Sequence, residues 1–198
     1  MYAIAVNGSP RPGGNTEILL NEVLKPLRER GWQTELVKVG GTAIRGCVAC
    51  YKCFENKDNR CVLEDNFNDI YARLLKADAM ILGSPVYFAA VSADLKALLE
   101  RAGMVAIANG NAFAGKIGAA VVAVRRGGAT HVYDSINHMF QMSRMIVPGS
   151  TYWNMGIGRE KEDVLTDEEG LRNMNHLGRT IGWLGEAMAK AGEPFPIG

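Results

Sequence analysis

Met1-Tyr2-Ala3-Ile4-Ala5-Val6-Asn7-Gly8-Ser9-Pro10-Arg11-Pro12-Gly13-Gly14-Asn15-Thr16 holds a strand, a turn and the start of a helix. Ala3-Ile4-Ala5-Val6 is a short apolar run closed by Asn7-Gly8-Ser9-Pro10, the pattern of a buried strand entering a loop. From Asn15 or Thr16 onward Ile18, Leu19, Val23 and Leu27 recur on one helical face, and Gly31 supplies the stop. Pro26 lies inside that helix and is expected to bend it. A buried strand running straight into a helix is the first half of a parallel βαβ unit.

The same alternation continues. A second strand is expected at 33–39, and a helix capped near Asp65 or Asn66 carries Phe67, Ile70, Tyr71 and Leu74. Ala79-Met80-Ile81-Leu82-Gly83 reads as the third strand, ending in Ser84-Pro85. Ser92 is placed to cap a helix with Leu95, Leu98, Leu99 and Ala102 inward. Residues 117–124 form an apolar run suited to a central strand covered on both faces. A helix over 130–142 leads to a short fifth strand at 145–147. Thr166-Asp167-Glu168-Glu169 has the capping-box form and opens the last helix, whose inner face carries Leu171, Met174, Leu177, Ile181, Leu184 and Met188. Gly178, Gly182 and Gly185 on it lower helix propensity and permit close packing. The result is an α/β protein with a five-stranded parallel sheet and helices on both faces, forming one domain over 1–198. Residues 148–166 are the longest stretch without clear structure, a loop expected to be functional or packed on a partner subunit.

Ser9 to Thr16 offers two hydroxyls, a guanidinium, an amide and glycines at a helix N-terminus, a set suited to phosphate. In an open parallel sheet ligands bind at the carboxyl ends of the strands, where this loop lies. It is neither G-x-G-x-x-G nor a Gly-Lys-Ser/Thr loop, which disfavours a dinucleotide Rossmann site and an NTPase.

Cys47, Cys50, Cys53 and Cys61 are all the cysteines of the chain. The C-x2-C-x2-C opening matches the start of the run that holds 4Fe–4S clusters in bacterial ferredoxins, and it fits a zinc site less well. The other readings of the spacing are a surface turn stapled by chance and free thiols left over from a cluster-binding ancestor. Composition is that of an ordinary globular protein, 47% hydrophobic and 22% charged with a net charge of +1, so neither nucleic acid nor membrane is an expected partner. No basic segment leads into an apolar stretch with a cleavage site, and no apolar run approaches the ~18 residues of a span. A cytoplasmic protein is expected, where cysteines serve metal or redox roles more often than disulfides.

Three stretches together resemble the flavodoxin-like NAD(P)H-dependent FMN reductases. Ser9-Pro10-Arg11-Pro12-Gly13-Gly14-Asn15-Thr16 is similar to their FMN-phosphate loop. Gly83-Ser84-Pro85-Val86-Tyr87-Phe88-Ala89-Ala90-Val91-Ser92 is similar to the loop that wraps the isoalloxazine ring. Val124-Arg125-Arg126-Gly127-Gly128-Ala129 resembles the glycine-containing loop on the flavin's other side. The resemblance implies a three-layer flavodoxin-like sandwich and an FMN site made by Ser9, Arg11, Gly14, Asn15, Thr16, Pro85, Val86, Tyr87, Phe88, Arg125, Gly127 and Gly128. Residues 46–62 resemble the insert of the iron–sulfur flavoproteins, with a longer last gap. That implies a 4Fe–4S cluster near FMN on Cys47, Cys50, Cys53 and Cys61.

The implied activity is electron transfer from NADH or NADPH through FMN to a small acceptor such as a quinone or flavin. The alternative is an iron–sulfur flavoprotein that exchanges electrons with ferredoxin. A third reading makes the cysteines a disulfide-forming redox sensor. A homodimer or homotetramer is expected. The flavin carries the chemistry, so no side chain is assigned as catalytic, and His131, His138 and His176 are read as surface or packing residues.

Overall fold

The computed structural model describes residues 1–196. Its elements run β1 (Tyr2–Asn7), α1 (Asn15–Glu29), β2 (Gln33–Lys38), α2 (Lys52–Asn56), α3 (Phe67–Lys76), β3 (Ala79–Pro85), α4 (Ala93–Ala108), β4 (Ile117–Val124), α5 (Ala129–Met142), β5 (Met155–Ile157), a 3-10 turn (Asp163–Thr166) and α6 (Glu168–Lys190). The five strands are parallel in the order β2-β1-β3-β4-β5. That is the doubly wound order of flavodoxin-like sheets.

Side chains alternate across the sheet and feed two cores. Ile4, Val6, Met80, Leu82, Ala120 and Val122 meet α3, α4 and α5 through Phe67, Tyr71, Leu95, Leu98 and Phe140. Ala3, Ala5, Ile81, Ala119 and Val121 face α1 and α6 through Leu20, Val23, Leu27, Met174 and Leu177. The expected three layers are present. Among the described residues no helix is long and apolar enough to cross a membrane.

Gly178 and Gly182 set the contact of α6 with α1 and its end at Arg30, and Gly185 the contact with Trp32 beyond it. A Cβ on Gly178 would overlap the Val23 carbonyl oxygen and lie 2.6 Å from Pro26 Cγ. One on Gly185 would lie 2.5 Å from the Trp32 ring. α1 itself runs through Pro26 to Glu29.

Two expectations are corrected. The fifth strand is not at 145–147: Ile146 makes only an isolated bridge to Ile117, exchanging bonds with Lys116 O and Gly118 N, each of 2.9 Å. Pro148, just beyond, has no N–H to extend the ladder. The chain leaves the sheet and returns as β5 beside Val122, Ala123 and Val124. The stretch 148–166 therefore contains both β5 and the 3-10 turn. At the start of α6 the cap is Asp167 rather than Thr166. Asp167 Oδ1 accepts from Gly170 N (3.0 Å) while Oδ2 accepts from Ile157 N (2.7 Å), tying the last helix to the last strand.

Candidate functional site

At the carboxyl edge of the sheet the loop after β1 is fixed by its own polar groups. Gly8 N donates to Gly83 O (2.8 Å), Ser9 N to Asn7 Oδ1 (2.9 Å) and Arg11 N to Ser9 Oγ (3.3 Å). Ser9 and Thr16 are buried. Gly40, just past β2, passes so near that a Cβ there would overlap the Ser9 backbone. Gly13 N and Asn7 Nδ2 both donate to Glu17 Oε2, at 3.1 and 3.3 Å. The Glu17 carboxylate thus takes up one donor from the loop and one from the strand end.

A second wall comes from the loop after β5. Arg11 Nη1 donates to Arg159 O (3.2 Å) and Asn15 Nδ2 to Glu160 O (2.8 Å). The third wall follows β3. Val86 N bonds Ala123 O (3.0 Å), and Tyr87 and Ala90 exchange two backbone bonds of 3.0 Å around Phe88 and Ala89. Both central residues are left-handed, with φ of 46° and 65°, as in a two-residue type I′ turn. Glycine or asparagine suits such positions best. Ala89→Gly is expected to stabilise the fold by about 0.5–1 kcal/mol, read from the urea midpoint.

Ser9, Arg11, Asn15, Thr16, Pro85, Val86, Tyr87 and Arg125 meet around one cavity of about 330 Å³. Gly14 stands at the N-cap of α1. Gly14 and three more residues of the sequence-based set lie outside the cavity lining. Phe88 is fully exposed at the tip of its turn, Gly127 is open to solvent, and Gly128 is the left-handed N-cap of α5, with Val86 Cγ1 3.1 Å from where its Cβ would be. Ala123, Gly158, Arg159 and Glu160 line the cavity as well and were not foreseen. A correct placement of β5 would have pointed to the 158–160 loop, because it leaves the same sheet edge.

The four cysteines surround a separate cavity with Val48, Val62 and Leu63 from their own segment and Arg101, Met104 and Val105 from α4. The two cavities share no lining residue. Left-handed residues at Ala49 and Tyr51 coil the chain about Cys50, and those at Lys57 and Asn59 turn it back to Cys61. The segment is pinned along its length. Asn68 bonds the Cys61 backbone twice (2.9 and 2.8 Å), and Asn109 Oδ1 accepts from Asn59 N (3.0 Å). Asp65 Oδ2 accepts from Arg45 N (3.1 Å). All four thiols are free. Burial raises the Cys53 thiol, and Cys61 and Cys50 add to the rise. Burial also raises the phenol of Tyr71, with a smaller contribution from Cys53.

Among the described residues no three His, Cys, Asp or Glu side chains close on a single ion. The four cysteines line one cavity of about 20 Å³ with Arg101 as its charged member, and four thiolates are the donor set of a 4Fe–4S cube.

Arg101 is 1% exposed at the back of this cavity. Its Nη1 pairs with Asp65 Oδ2 (2.6 Å) and donates to Arg45 O (3.2 Å), its Nη2 donates to Leu63 O (3.3 Å), and its guanidinium lies 4.2 Å over the Phe67 ring. Burial opposes ionisation of Asp65, but the hydrogen bond from Arg101 and those from the Arg45 and Phe67 amides outweigh it and hold the carboxyl low.

The strand order β2-β1-β3-β4-β5 with helices on both faces defines a flavodoxin-like protein. Residues 1–160 match the NADPH-dependent FMN reductase family, to which the chain belongs, within its iron–sulfur flavoprotein branch. It is an FMN-dependent oxidoreductase. An iron–sulfur flavoprotein of Methanocaldococcus jannaschii is 35% identical to it over 91% of this chain and 95% of its own. Among solved structures, RosB with a bound 8-demethyl-8-formylriboflavin-5′-phosphate intermediate superposes with a TM-score of 0.75 at 15% identity, covering 98% of this chain and 82% of RosB. A flavodoxin-like WrbA-like protein from Agrobacterium tumefaciens gives 0.67 at 13% identity, with 94% and 98% covered. These two likenesses concern the fold.

Proposed function

We propose that FMN binds with its phosphate in the Ser9–Thr16 loop and its ring against Pro85, Val86 and Tyr87, and that a reduced nicotinamide is the electron donor. The observation that carries this reading is the meeting of Ser9, Arg11, Asn15, Thr16, Pro85, Val86, Tyr87 and Arg125 around one cavity. When bound, FMN accepts a hydride equivalent and releases electrons to a small acceptor such as a quinone or free flavin. The protein's part is binding, orientation and charge. Arg11 and the buried hydroxyls of Ser9 and Thr16 hold the phosphate beside the α1 N-terminus. Tyr87 gives the ring an aromatic wall, and Arg125 brings positive charge to the cavity where reduced flavin carries negative charge.

Anaerobic addition of NADPH or NADH to FMN-loaded protein is expected to bleach the oxidised flavin band at a rate that saturates with nicotinamide. A flavin that stays oxidised with both donors overturns the reading. Within it, Tyr87→Ala weakens FMN binding about tenfold, whereas Phe88→Ala, outside the cavity, leaves it within about twofold in a fluorescence titration.

In a second role Cys47, Cys50, Cys53 and Cys61 hold a 4Fe–4S cluster, which gives the protein a one-electron port suited to a ferredoxin. The convergence of all four cysteines on one cavity supports it, as do relatives described as iron–sulfur flavoproteins. About four irons and matching sulfide per chain after anaerobic purification, lost in Cys50→Ala, are expected; wild type with FMN and no iron contradicts it. A homodimer or homotetramer accompanies this reading, with the exposed Tyr152 and Trp153 at the contact. A sedimentation mass equal to the 21.5 kDa chain would refute that assembly.

A further inference from the structure

Arg101 has one polar atom that its structural role leaves unused. Its two terminal nitrogens hold Asp65 and the carbonyls of Arg45 and Leu63, yet Nε is buried with no hydrogen-bond partner among the described residues. An orphaned guanidinium N–H is costly, more so than a neutral one. Arg101 is also the charged residue that α4 contributes to the cysteine cavity, whose other α4 residues, Met104 and Val105, are apolar.

We propose that Arg101 is a positioning residue for an anionic iron–sulfur cluster, its Nε–H donating to a sulfur of the cluster and its charge setting the reduction potential. The inference rests on the reading that the four cysteines hold such a cluster. Hydrogen bonds to sulfur and net local charge are two of the levers that set cluster potentials. A four-thiolate cluster is an anion that gains further negative charge on reduction, so a buried cation beside it favours the reduced form and raises the potential. Asp65, 2.6 Å from the same guanidinium, acts in the opposite sense. The pair therefore makes a prediction that loop anchoring alone does not: its two members shift the potential in opposite directions.

The test is an anaerobic redox titration of the cluster, followed by its visible absorption or by EPR of the reduced form, in wild type, Arg101→Lys and Asp65→Asn. Iron, sulfide, FMN and far-UV circular dichroism are measured on each. Arg101→Lys keeps the charge and the reach to Asp65 but has no N–H at the Nε position, and its cluster is expected to titrate at lower potential. Asp65→Asn, isosteric and uncharged, is expected to titrate at higher potential. Potentials that do not move, or that move in the same direction in both variants, overturn the proposal. Loss of iron from Arg101→Lys alone, with FMN and helical signal retained, supports it. Loss from both variants overturns it, because anchoring of the segment would then explain everything. A wild-type chain that takes up no iron instead fails the cluster reading itself.

Discussion

Asp65→Ala is expected to destabilise the fold by about 3–5 kcal/mol, because it breaks the buried pair with Arg101. The cost comes less from the lost attraction than from what remains. Arg101 would keep its charge in a site 1% exposed, with two carbonyls and the face of Phe67 as its remaining contacts within the chain. Asp65 also accepts the amides of Arg45 and Phe67, so both ends of the cysteine segment lose an anchor. A double replacement, Asp65→Leu with Arg101→Met, should recover much of the loss, since paired removal leaves no buried charge. Urea unfolding of the two singles and the double checks this; equal losses in all three would contradict it.

The pH dependence has a definite sign. The Asp65 carboxyl is held below its ordinary value, so the unfolded chain binds its proton more readily than the folded one. The contribution is complete above an unfolded pKa of about 4 and is lost as the pH falls through the lower folded value. In Asp65→Ala that part of the acid-induced loss of stability should disappear.

Gly178→Ala is the second large effect, about 3 kcal/mol destabilising. A methyl there would overlap the Val23 carbonyl oxygen and press on Pro26 Cγ. Backbone cannot rotate away as a flexible side chain can, so α6 must lift off α1, at the upper end of what overpacking costs. Gly103→Ala in α4 provides the contrast, because nothing lies within 4 Å of its Cβ position. There the gain in helix propensity should win, stabilising by about 0.5–1 kcal/mol. Opposite signs for two helical glycines separate packing from propensity; two stabilising alanines would contradict the close α1–α6 contact.

The central strands were legible because each is a continuous apolar run, and every residue of β3 and β4 is in fact buried. β5 was not. It is three residues long, and its one buried member, Gly156, leaves the space into which Leu19 and Val164 pack. Met145-Ile146-Val147 carries a stronger strand signal, and only the absence of an N–H at Pro148 shows why the ladder stops there. That error also hid Arg159 and Glu160, whose carbonyls hold Arg11 and Asn15.

In the candidate site Ser9, Arg11, Asn15 and Thr16 could be grouped from the sequence because they are local and nearly consecutive. Phe88 stands outside the cavity lining. An aromatic beside Tyr87 suggests a ring wall, but a left-handed φ at the turn tip directs it to solvent. Arg101 gave no signal at all. A lone arginine in a helix reads as a solvated charge, and the partners that bury this one, Arg45, Leu63 and Asp65, are 36 to 56 residues away.

The most direct test of FMN binding through the loop after β1 compares FMN with riboflavin, which lacks only the phosphate. Fluorescence titrations of wild type, Arg11→Ala and Thr16→Ala give the dissociation constants. Wild type is expected to prefer FMN strongly, and Arg11→Ala to lose about 1.5–3 kcal/mol of FMN affinity, a tenfold to hundredfold effect, with little change for riboflavin. Equal affinity of the wild-type chain for the two flavins, or FMN constants unchanged in both variants, would contradict the assignment.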